Sequence, residues 1–291
     1  MKKFTILTVF KEMRVKSWLK NLFVFFPIVF SLEMFEIDRL IKAVVLTFAF
    51  CLVSSAIYIL NDLMDVESDR KHELKKNRPI ASGLFPIPFA WVLLILLMAA
   101  GLGLSFWVNY VALILTGSYI VINLLYSKWL KSAAIIDCFC IAAGFVLRVM
   151  AGGTIVDEGV SGWMFLTVIS LSLFMAFGKR RGELRIYSDG ETRDVLGTYD
   201  MGFLNGSIFM CAGLTLVFYS LWSITQKTSL VYTVPFVMFI VIRYLLLVFK
   251  GRSDGDPTNL LLSDKILLIT CALYALTMIG ILYLPGILPC F

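Results

Sequence analysis

Residues 40–60 read LIKAVVLTFAFCLVSSAIYIL, and residues 61–70 continue as NDLMDVESDR. The first stretch has one charged residue, Lys42, near its start. It is long enough for a helix that crosses a bilayer, which needs about 20 mostly apolar residues. The second stretch places several acidic residues directly after that helix. The sequence therefore predicts a membrane-spanning helix whose end carries a group of carboxylates.

The composition of the whole chain supports this interpretation. Of its 291 residues, 59% are hydrophobic and 16% are charged, and the mean hydropathy is +0.88. Soluble domains have about 45–50% apolar and about 25% charged residues, so these values exclude a soluble globule, a disordered chain and a nucleic-acid-binding protein. Six cysteines without a CxxC pair and a single histidine leave little material for a zinc or haem centre. The chain is predicted to be an all-α integral membrane protein.

Apolar segments recur along the chain and predict a bundle of about nine transmembrane helices. The first segment contains Pro27, and the short interval at Asn109 predicts a tight hairpin. No repeat or linker marks a second domain in the sequence. Residues 1–291 are therefore predicted to form one transmembrane domain, with a cytosolic amphipathic segment at 1–20. The predicted segments are 21–32, 40–60, 86–107, 109–127, 133–156, 162–178, 206–225, 230–249 and 266–284.

Basic residues are distributed unequally between the two sets of predicted loops. The loops on the side of the N-terminus carry 21 lysines and arginines, and the other side carries three, Arg39, Lys42 and Lys227. Because positively charged loops stay in the cytosol, the N-terminus and the acidic end of the helix at 40–60 are predicted to be cytoplasmic. The net charge of +6 is thus explained by topology.

Three aspartates follow the apolar run at helical spacing. If the helix continues, Asp62, Asp65 and Asp69 stand at i, i+3 and i+7 and share one face, which Asn61 joins. Carboxylates held together repel one another unless a cation separates them. Hard oxygen ligands favour Mg²⁺, which commonly binds one or two carboxylates plus substrate phosphates. The pattern predicts a magnesium site for a phosphorylated substrate, and the alternative is a solvated polar loop.

Basic residues close to these carboxylates are candidates for phosphate contacts. Arg70 and Arg78 lie in the same loop, and arginine binds phosphate oxygens in a bidentate manner. Other basic residues of the loop anchor it to anionic lipid, and His72 is expected to be solvated rather than a catalytic base. A second basic patch, GKRRGELR at 178–185, follows the sixth predicted span. We interpret it as a phosphate clamp that faces the loop with Asp62, Asp65 and Asp69 (the aspartate loop), with Glu183 as an additional ligand of the metal or of a hydroxyl group. The alternative is that the basic residues only set the topology.

Two charged residues lie within the fifth predicted span. Asp137 and Arg148 are eleven residues apart, which places them on one helical face about 16 Å from each other. Charges inside a membrane are expensive and normally face a cavity or a partner. Asp137, near the cytosolic end, is a candidate site residue. For Arg148, a place in the site and a structural pairing with another helix both stay open.

Together these motifs resemble those of a known family. The pattern NDxxDxxxDR at 61–70 is similar to the first aspartate-rich motif of the UbiA superfamily of intramembrane prenyltransferases. Further stretches narrow the resemblance, over nearly the whole chain, to the branch of decaprenyl-phosphate phosphoribosyltransferases. These stretches are SWLKN (17–21), NRPIASG (77–83), GFVLRVMAGG (144–153), GKRRGEL (178–184) and GDP (255–257).

The resemblance implies a cytosol-facing polar cavity in a nine-helix bundle of the bacterial cell membrane, and a step of cell-wall biosynthesis. It implies a Mg²⁺-dependent transfer of 5-phosphoribose from phosphoribosyl pyrophosphate to a decaprenyl-like polyprenyl phosphate, with release of pyrophosphate. Asp62, Asp65 and Asp69, with Asn61, would hold the metal and carry catalysis. The implied substrate-binding residues are Lys20, Asn21 and Lys128 for the lipid headgroup, Arg78, Lys179 and Arg180 for phosphates, and Arg70, Tyr126, Asp137, Arg148 and Glu183 without a separate role.

One departure from the wider superfamily bears on the substrate. Aromatic prenyltransferases carry a second aspartate-rich motif where this chain has the basic residues 179–181. Cations in place of carboxylates suit a site that holds more phosphate with less metal. The alternatives are prenyl transfer from a prenyl diphosphate to an aromatic acceptor, which the intact first motif keeps open, and a transporter. The expected partners are the two substrates and the bilayer; a homo-oligomer stays open, and no nucleic acid is expected.

Overall fold

The computed structural model describes residues 5–71, 75–186, 194–250 and 257–284, so His72, Gly255 and Asp256 lie outside the described residues. Every regular element in these ranges is helical. The α-helices are α1 (Ile6–Glu12), α2 (Phe26–Phe30), α3 (Ile37–Met64), α4 (Val66–Lys71), α5 (Ile87–Val108), α6 (Tyr110–Lys128), α7 (Ile136–Gly153), α8 (Gly162–Ile186), α9 (Met201–Gln226), α10 (Val234–Lys250), α11 (Pro257–Ser263) and α12 (Lys265–Tyr283). The 3₁₀-helices are Val15–Phe25, Lys75–Asn77, Leu130–Ser132, Asp194–Thr198 and Thr228–Thr233.

Eight helices in the described residues are long and apolar enough to cross a bilayer. Each overlaps one predicted segment, and the predicted hairpin is confirmed because Asn109 alone separates α5 from α6. The predicted segment at 21–32 differs, since it forms the end of the 3₁₀-helix Val15–Phe25 and the short helix α2. Pro27 is the second residue of α2 and has no backbone N–H, so it cannot continue the hydrogen-bond ladder of a preceding helix.

The helices belong to two compact units, each described here by itself. Unit 1 contains Met1–Ser127 and Leu147–Gly159, and unit 2 contains Lys128–Val146 and Val160–Phe291. Helix α7 therefore contributes its first residues to unit 2 and its last residues to unit 1. The organisation of residues 1–291 as one domain stays a prediction.

In unit 1, helix α3 packs against α5 and against the 3₁₀-helix that precedes α2. A Cβ atom on Gly101 of α5 would lie 2.5 Å from Val53 Cγ2 and 3.0 Å from the Ala49 carbonyl oxygen. A Cβ atom on Gly152, at the end of α7, would lie 2.0 Å from the Val24 carbonyl oxygen. Close backbone approach through small residues is a common packing mode of helices in membranes. The first contact fixes the middle of α3, whose last turns carry Asn61 and Asp62.

In unit 2, helices α8 and α9 pack along each other and share a hydrophobic core with α10. Phe174 of α8, Leu204 of α9 and Tyr244 of α10 are buried in this core. Arg243, which lies within the apolar helix α10, is paired with Asp264 at an N–O distance of 2.8 Å. The core supports the C-terminal part of α8, where the basic patch lies.

Candidate active site

The aspartates lie where helix α3 gives way to α4. Helix α3 ends at Met64, and Asp65 has non-helical dihedrals, with φ −97° and ψ 7°. Its carbonyl still accepts the Asp69 N–H at 2.8 Å, so the chain keeps a helical course across the break. The side chains of Asp62 and Asp69 are buried, with 3% and 2% exposure, while Asp65 is half-buried. The predicted continuous helix is thus interrupted at Asp65, and Asp62 and Asp69 remain together.

Two arginines bind these buried carboxylates. Arg78 Nη1 donates to Asp62 Oδ1 at 2.9 Å and to Asp69 Oδ2 at 2.6 Å, and therefore joins the two aspartates. Arg14 Nη2 donates to both oxygens of Asp62, at 2.6 and 2.9 Å. Arg14 has a left-handed backbone, with φ 50°, and its guanidinium lies 4.7 Å from the centre of the Tyr58 ring. The guanidinium groups of Arg14 and Arg78 are thus hydrogen-bonded to the carboxylates that the sequence predicts as metal ligands.

Two neighbouring side chains carry buried oxygens without a hydrogen-bond partner among the described residues. They are Glu12, with both carboxyl oxygens, and Asn61, with Oδ1. Burial, and secondarily the charge of Asp62, raises the pKa of the Glu12 carboxyl from 4.5 to about 8. We call the group of Glu12, Arg14, Asn61, Asp62, Asp69 and Arg78 the aspartate cluster.

The donor set of the aspartate cluster fits a hard divalent cation. In the described residues, no three histidine, cysteine or acidic side chains stand together as a complete metal cage. Mg²⁺ does not require such a cage, because it usually binds one or two carboxylates and completes its shell with water and substrate phosphates. Carboxylates of Asp62 and Asp69, with the unpartnered oxygens of Glu12 and Asn61, are ligands of this kind.

A cavity of mixed polar and apolar lining lies at the chain segments that carry Glu12 and Arg78. It has a volume of about 450 Å³ and is lined by Lys11, Asn77, Ser82 and Leu84. Lys11 precedes Glu12 in the chain, and Asn77 precedes Arg78, so cavity and cluster share two chain segments. Arg70 is exposed, and its Nε donates to the Ala81 carbonyl at 3.2 Å, which ties it to the same loop.

The basic patch of α8 contains a fully buried ion pair in unit 2. Arg180 and Asp137 both have 0% side-chain exposure, and Arg180 Nε donates to Asp137 Oδ2. Arg180 Nη1 also donates to Glu183 Oε2. Lys179 is 35% exposed, and its amine lies 4.0 Å from Glu183 Oε1. Arg180 is therefore bound by carboxylates of its own unit, and Lys179 lies partly exposed beside Glu183.

Tyr199 completes this group, which we call the Asp137 cluster (Asp137, Lys179, Arg180, Glu183 and Tyr199). The Tyr199 hydroxyl donates to Asp137 Oδ1 at 2.7 Å and accepts the Ile135 N–H at 2.6 Å. Burial and the hydrogen bond to Asp137 raise the pKa of the Tyr199 phenol well above its ordinary value, so it stays protonated and donates. Both carboxylate oxygens of Asp137 therefore accept a hydrogen bond, Oδ1 from Tyr199 and Oδ2 from Arg180.

Arg148 lies in unit 1 and is nearly buried, with 6% exposure. Its Nε donates to Asn21 Oδ1 at 2.7 Å and its Nη2 to the Tyr119 hydroxyl at 2.8 Å, and its guanidinium lies 4.5 Å from the Tyr119 ring centre. Asn21 in turn donates to Cys51 Sγ and Ser54 Oγ of α3. Arg148 and Asn21 therefore connect α7 with α6, α3 and the N-terminal 3₁₀-helix.

The remaining predicted substrate-binding residues lie nearer the surface. Lys20 and Tyr126 are half-buried. Lys128 is exposed, and its amine lies 4.4 Å from the ring centre of Trp129. Their roles, like those of the other candidate site residues, stay predictions.

The sequence analysis did not identify several residues that the structure places in these groups. They are Glu12, Arg14, Tyr119 and Tyr199. Arg14 counted only as one of many basic residues of the N-terminal side, although it lies just before the SWLKN stretch at 17–21. Its partner Asp62 is 48 positions away, and no spacing rule connects residues so distant.

Comparison with known proteins agrees with these observations. The UbiA prenyltransferase family profile matches residues 22–269. The decaprenyl-phosphate phosphoribosyltransferase of Mycolicibacterium smegmatis is 33% identical over 279 residues, covering 89% of this chain and 87% of that protein. The decaprenyl-phosphate phosphoribosyltransferase of Corynebacterium glutamicum is 34% identical over 288 residues, covering 94% and 86%.

Comparison with a solved structure shows that the fold is also similar. The structure of a UbiA homolog from Archaeoglobus fulgidus bound to GPP and Mg²⁺ has a TM-score of 0.74, with 18% identity, over 94% of this chain and all of that chain. The family profile and the two relatives identify the chain as a membrane-embedded transferase. The chain belongs to the UbiA prenyltransferase family. The resemblance and the helical membrane fold expected from the sequence are confirmed.

Proposed function

We propose that this protein transfers 5-phosphoribose from phosphoribosyl pyrophosphate to a polyprenyl phosphate, with Mg²⁺ as cofactor, and releases pyrophosphate. The names of its relatives from Mycolicibacterium smegmatis and Corynebacterium glutamicum support this activity. The observation that carries the proposal is the pairing of buried carboxylates with two arginines in the aspartate cluster. Such a cluster has oxygen ligands for a cation and guanidinium groups for phosphate oxygens in one place.

The two arginines of the cluster are the proposed donors to the pyrophosphate. A guanidinium keeps its charge at any physiological pH and matches the geometry of carboxylate and phosphate alike. Arg14 and Arg78 are 32% and 30% exposed, so a phosphate can reach them from solution. Arg14 and Arg78 would donate to the phosphate oxygens of the substrate, and the carboxylates of Asp62 and Asp69, to which they now donate, would hold the cation.

The proposed reaction is a substitution at C1 of the ribose. The bond from C1 to the pyrophosphate oxygen breaks, and its electron pair leaves with pyrophosphate, while an oxygen of the lipid phosphate forms the new bond to C1. Mg²⁺ supplies positive charge that stabilises the departing pyrophosphate. An ionised lipid phosphate has no proton to lose, so the step needs no general base.

The cavity beside the cluster is the proposed place of the sugar phosphate. Its volume of about 450 Å³ is within the range of small-molecule sites, roughly 300–1,000 Å³. The Lys11 amine, the Asn77 amide and the Ser82 hydroxyl all can donate to phosphate or sugar oxygens. Asp65, which is half-buried at the break between α3 and α4, would help to hold the cation, and Arg70 would contact the phosphates at the rim of the cavity.

Separate roles are proposed for the other two groups. In the Asp137 cluster, Lys179 is the proposed phosphate contact, and Arg180 positions Glu183. In unit 1, Arg148 and Asn21 are proposed to hold the N-terminal 3₁₀-helix, from which Lys20 reaches the lipid headgroup. Tyr126 and Lys128 are proposed as further headgroup contacts.

The topology proposed from the charge bias suits this chemistry. It places the N-terminus and the aspartate cluster on the cytoplasmic side of a bacterial cell membrane. A water-soluble sugar diphosphate arrives from that side, whereas a polyprenyl phosphate arrives laterally through the bilayer.

Acceptor-dependent pyrophosphate release by purified protein in detergent with Mg²⁺ tests the proposal. One reaction contains phosphoribosyl pyrophosphate and a polyprenyl phosphate, and the other contains geranyl diphosphate and 4-hydroxybenzoate. Asp69→Asn removes a buried carboxylate of the cluster, and Glu67→Gln is the matched control, because Glu67 is exposed on the same helix α4.

We expect release with the first pair only, with about 100-fold less in Asp69→Asn and unchanged release in Glu67→Gln. The phosphoribosylated lipid should accumulate in equal molar amount. Release with the second pair alone would assign the chain to prenyl transfer instead. No release with either pair by folded protein would reject both activities.

A further inference from the structure

Glu12 is the most deeply buried acid of the N-terminal segment. It is the last residue of α1, its exposure is 1%, and neither carboxyl oxygen has a hydrogen-bond partner among the described residues. Burying a carboxylate without a partner is expensive, and a protein usually pairs it or coordinates a metal with it. The position of Glu12 therefore calls for a ligand.

The charged groups around Glu12 indicate what kind of ligand this is. The charged groups that act on its carboxyl are Asp62, Arg14 and Arg78. Both arginines donate to aspartates, and Arg14 directs the same nitrogen at both oxygens of Asp62. Glu12 thus faces another carboxylate, and a small cation between the two acids removes their mutual repulsion.

A second side chain independently indicates the same kind of ligand. Asn61 precedes Asp62 at the end of α3, and its Oδ1 is buried without a hydrogen-bond partner among the described residues. An amide oxygen accepts but does not donate, so only a donor or a cation satisfies it. Oxygens of this hard type, from carboxylate and amide groups, are the preferred ligands of Mg²⁺ and Mn²⁺.

We propose that Glu12 is a ligand of the divalent cation, shared with Asp62, so that the N-terminal helix α1 contributes directly to the metal site. The inference rests on the proposed function, because it places the cation at the aspartate cluster. It adds a carboxylate from outside the aspartate motif at 61–70. Helix α1 then binds the cation through Glu12 and the substrate through Lys11.

Mn²⁺ binding measures this role without any turnover. Mn²⁺ is titrated into the full-length protein in detergent, with and without inorganic pyrophosphate, and free Mn²⁺ is followed by electron paramagnetic resonance. The proteins are the wild type, Glu12→Gln, Asp62→Asn and the surface control Glu67→Gln. Mutating even the outer-shell partners of metal ligands typically weakens metal affinity about 10–100-fold, so removing a ligand should weaken it at least as much.

We expect Glu12→Gln and Asp62→Asn each to weaken Mn²⁺ binding at least about 10-fold, and Glu67→Gln to bind like the wild type. If Asp62→Asn loses binding and Glu12→Gln does not, the inference is overturned and the proposed metal site stands. If the wild type binds no Mn²⁺, or Asp62→Asn binds like the wild type, the metal site itself is rejected and the inference with it.

A stability measurement separates loss of a ligand from loss of the fold. Without metal, Glu12→Gln should have a Tm equal to or above that of the wild type, because an uncharged amide of the same shape replaces a buried acid whose ionisation is costly. With Mn²⁺, the wild type should gain Tm and Glu12→Gln should gain less. Glu12→Met is the second variant, and an equal metal-induced gain in both variants and the wild type would refute the inference.

Discussion

Replacing Arg180 by methionine removes a buried cation and keeps most of the side-chain volume. The Asp137 carboxylate, at 0% exposure, then loses its guanidinium and keeps the Tyr199 hydroxyl as a donor. Breaking a buried ion pair by removing one partner typically destabilises a protein by about 3–5 kcal/mol. Glu183, at 14% exposure, loses the same partner but is partly reached by water, so its loss is included within this range. We therefore expect Arg180→Met to lower the free energy of unfolding by about 3–5 kcal/mol.

Unfolding of the purified protein by SDS titration in mixed micelles measures this change. Lys179→Met is the matched control on the same helix, and it should change the free energy of unfolding by less than about 0.5 kcal/mol, since its side chain is 35% exposed. The double variant Arg180→Met with Asp137→Asn should fall short of the summed single effects by about 1–3 kcal/mol, because no buried charge is left alone. Wild-type stability of Arg180→Met, together with a raised KM for phosphoribosyl pyrophosphate, would refute the structural pairing and restore Arg180 as a phosphate contact.

Three further substitutions test other features of the structure. Gly152→Ala should lower the free energy of unfolding by about 1–3 kcal/mol in the same SDS titration, because the added methyl would overlap the Val24 carbonyl. Tyr199→Phe should lower it by about 1–3 kcal/mol, since Asp137 loses a buried donor. Lys11→Gln should raise the KM for phosphoribosyl pyrophosphate about 10-fold in the pyrophosphate assay and leave the free energy of unfolding unchanged, because its amine lines the cavity and is exposed.

Matched controls accompany these three variants. Gly103→Ala also adds a methyl inside a membrane helix but meets no atom within 4 Å, so it should be neutral or slightly stabilising. Tyr232→Phe removes a hydroxyl from a side chain that is 39% exposed, and Lys75→Gln removes an exposed charge of the aspartate loop. If any control matched its partner variant, the corresponding explanation would be wrong.

The spans were predictable from the sequence because a bilayer accepts only long apolar helices, and their lengths and hydropathy are visible in the chain itself. The predicted span at 21–32 departs from this rule. Its composition is apolar, but Pro27 and the tighter winding of Val15–Phe25 are local backbone properties that hydropathy does not report. The count of nine spans therefore stays a prediction, with eight helices of spanning length in the described residues.

The site was predictable only where helical spacing connects its members. Asp62 and Asp69 share a helical repeat, so their common position followed from the sequence. Arg14 and Glu12 reach them through the tertiary fold. The burial of Arg180 was not predictable for the same reason. A basic patch at a membrane surface predicts solvated cations, and the carboxylate that binds Arg180, Asp137, lies 43 positions away in the sequence.

The Arg148–Asn21 hydrogen bond joins residues 127 positions apart, whereas the aspartate cluster draws on residues between 12 and 78. During synthesis, a nascent chain that has inserted α3 and α5 already carries every carboxylate and guanidinium of the cluster. Asn21 receives its arginine only after α7 has entered the membrane. The order of translation is therefore also an order of assembly, in which the chemical groups come first and the helix that secures the N-terminal segment follows.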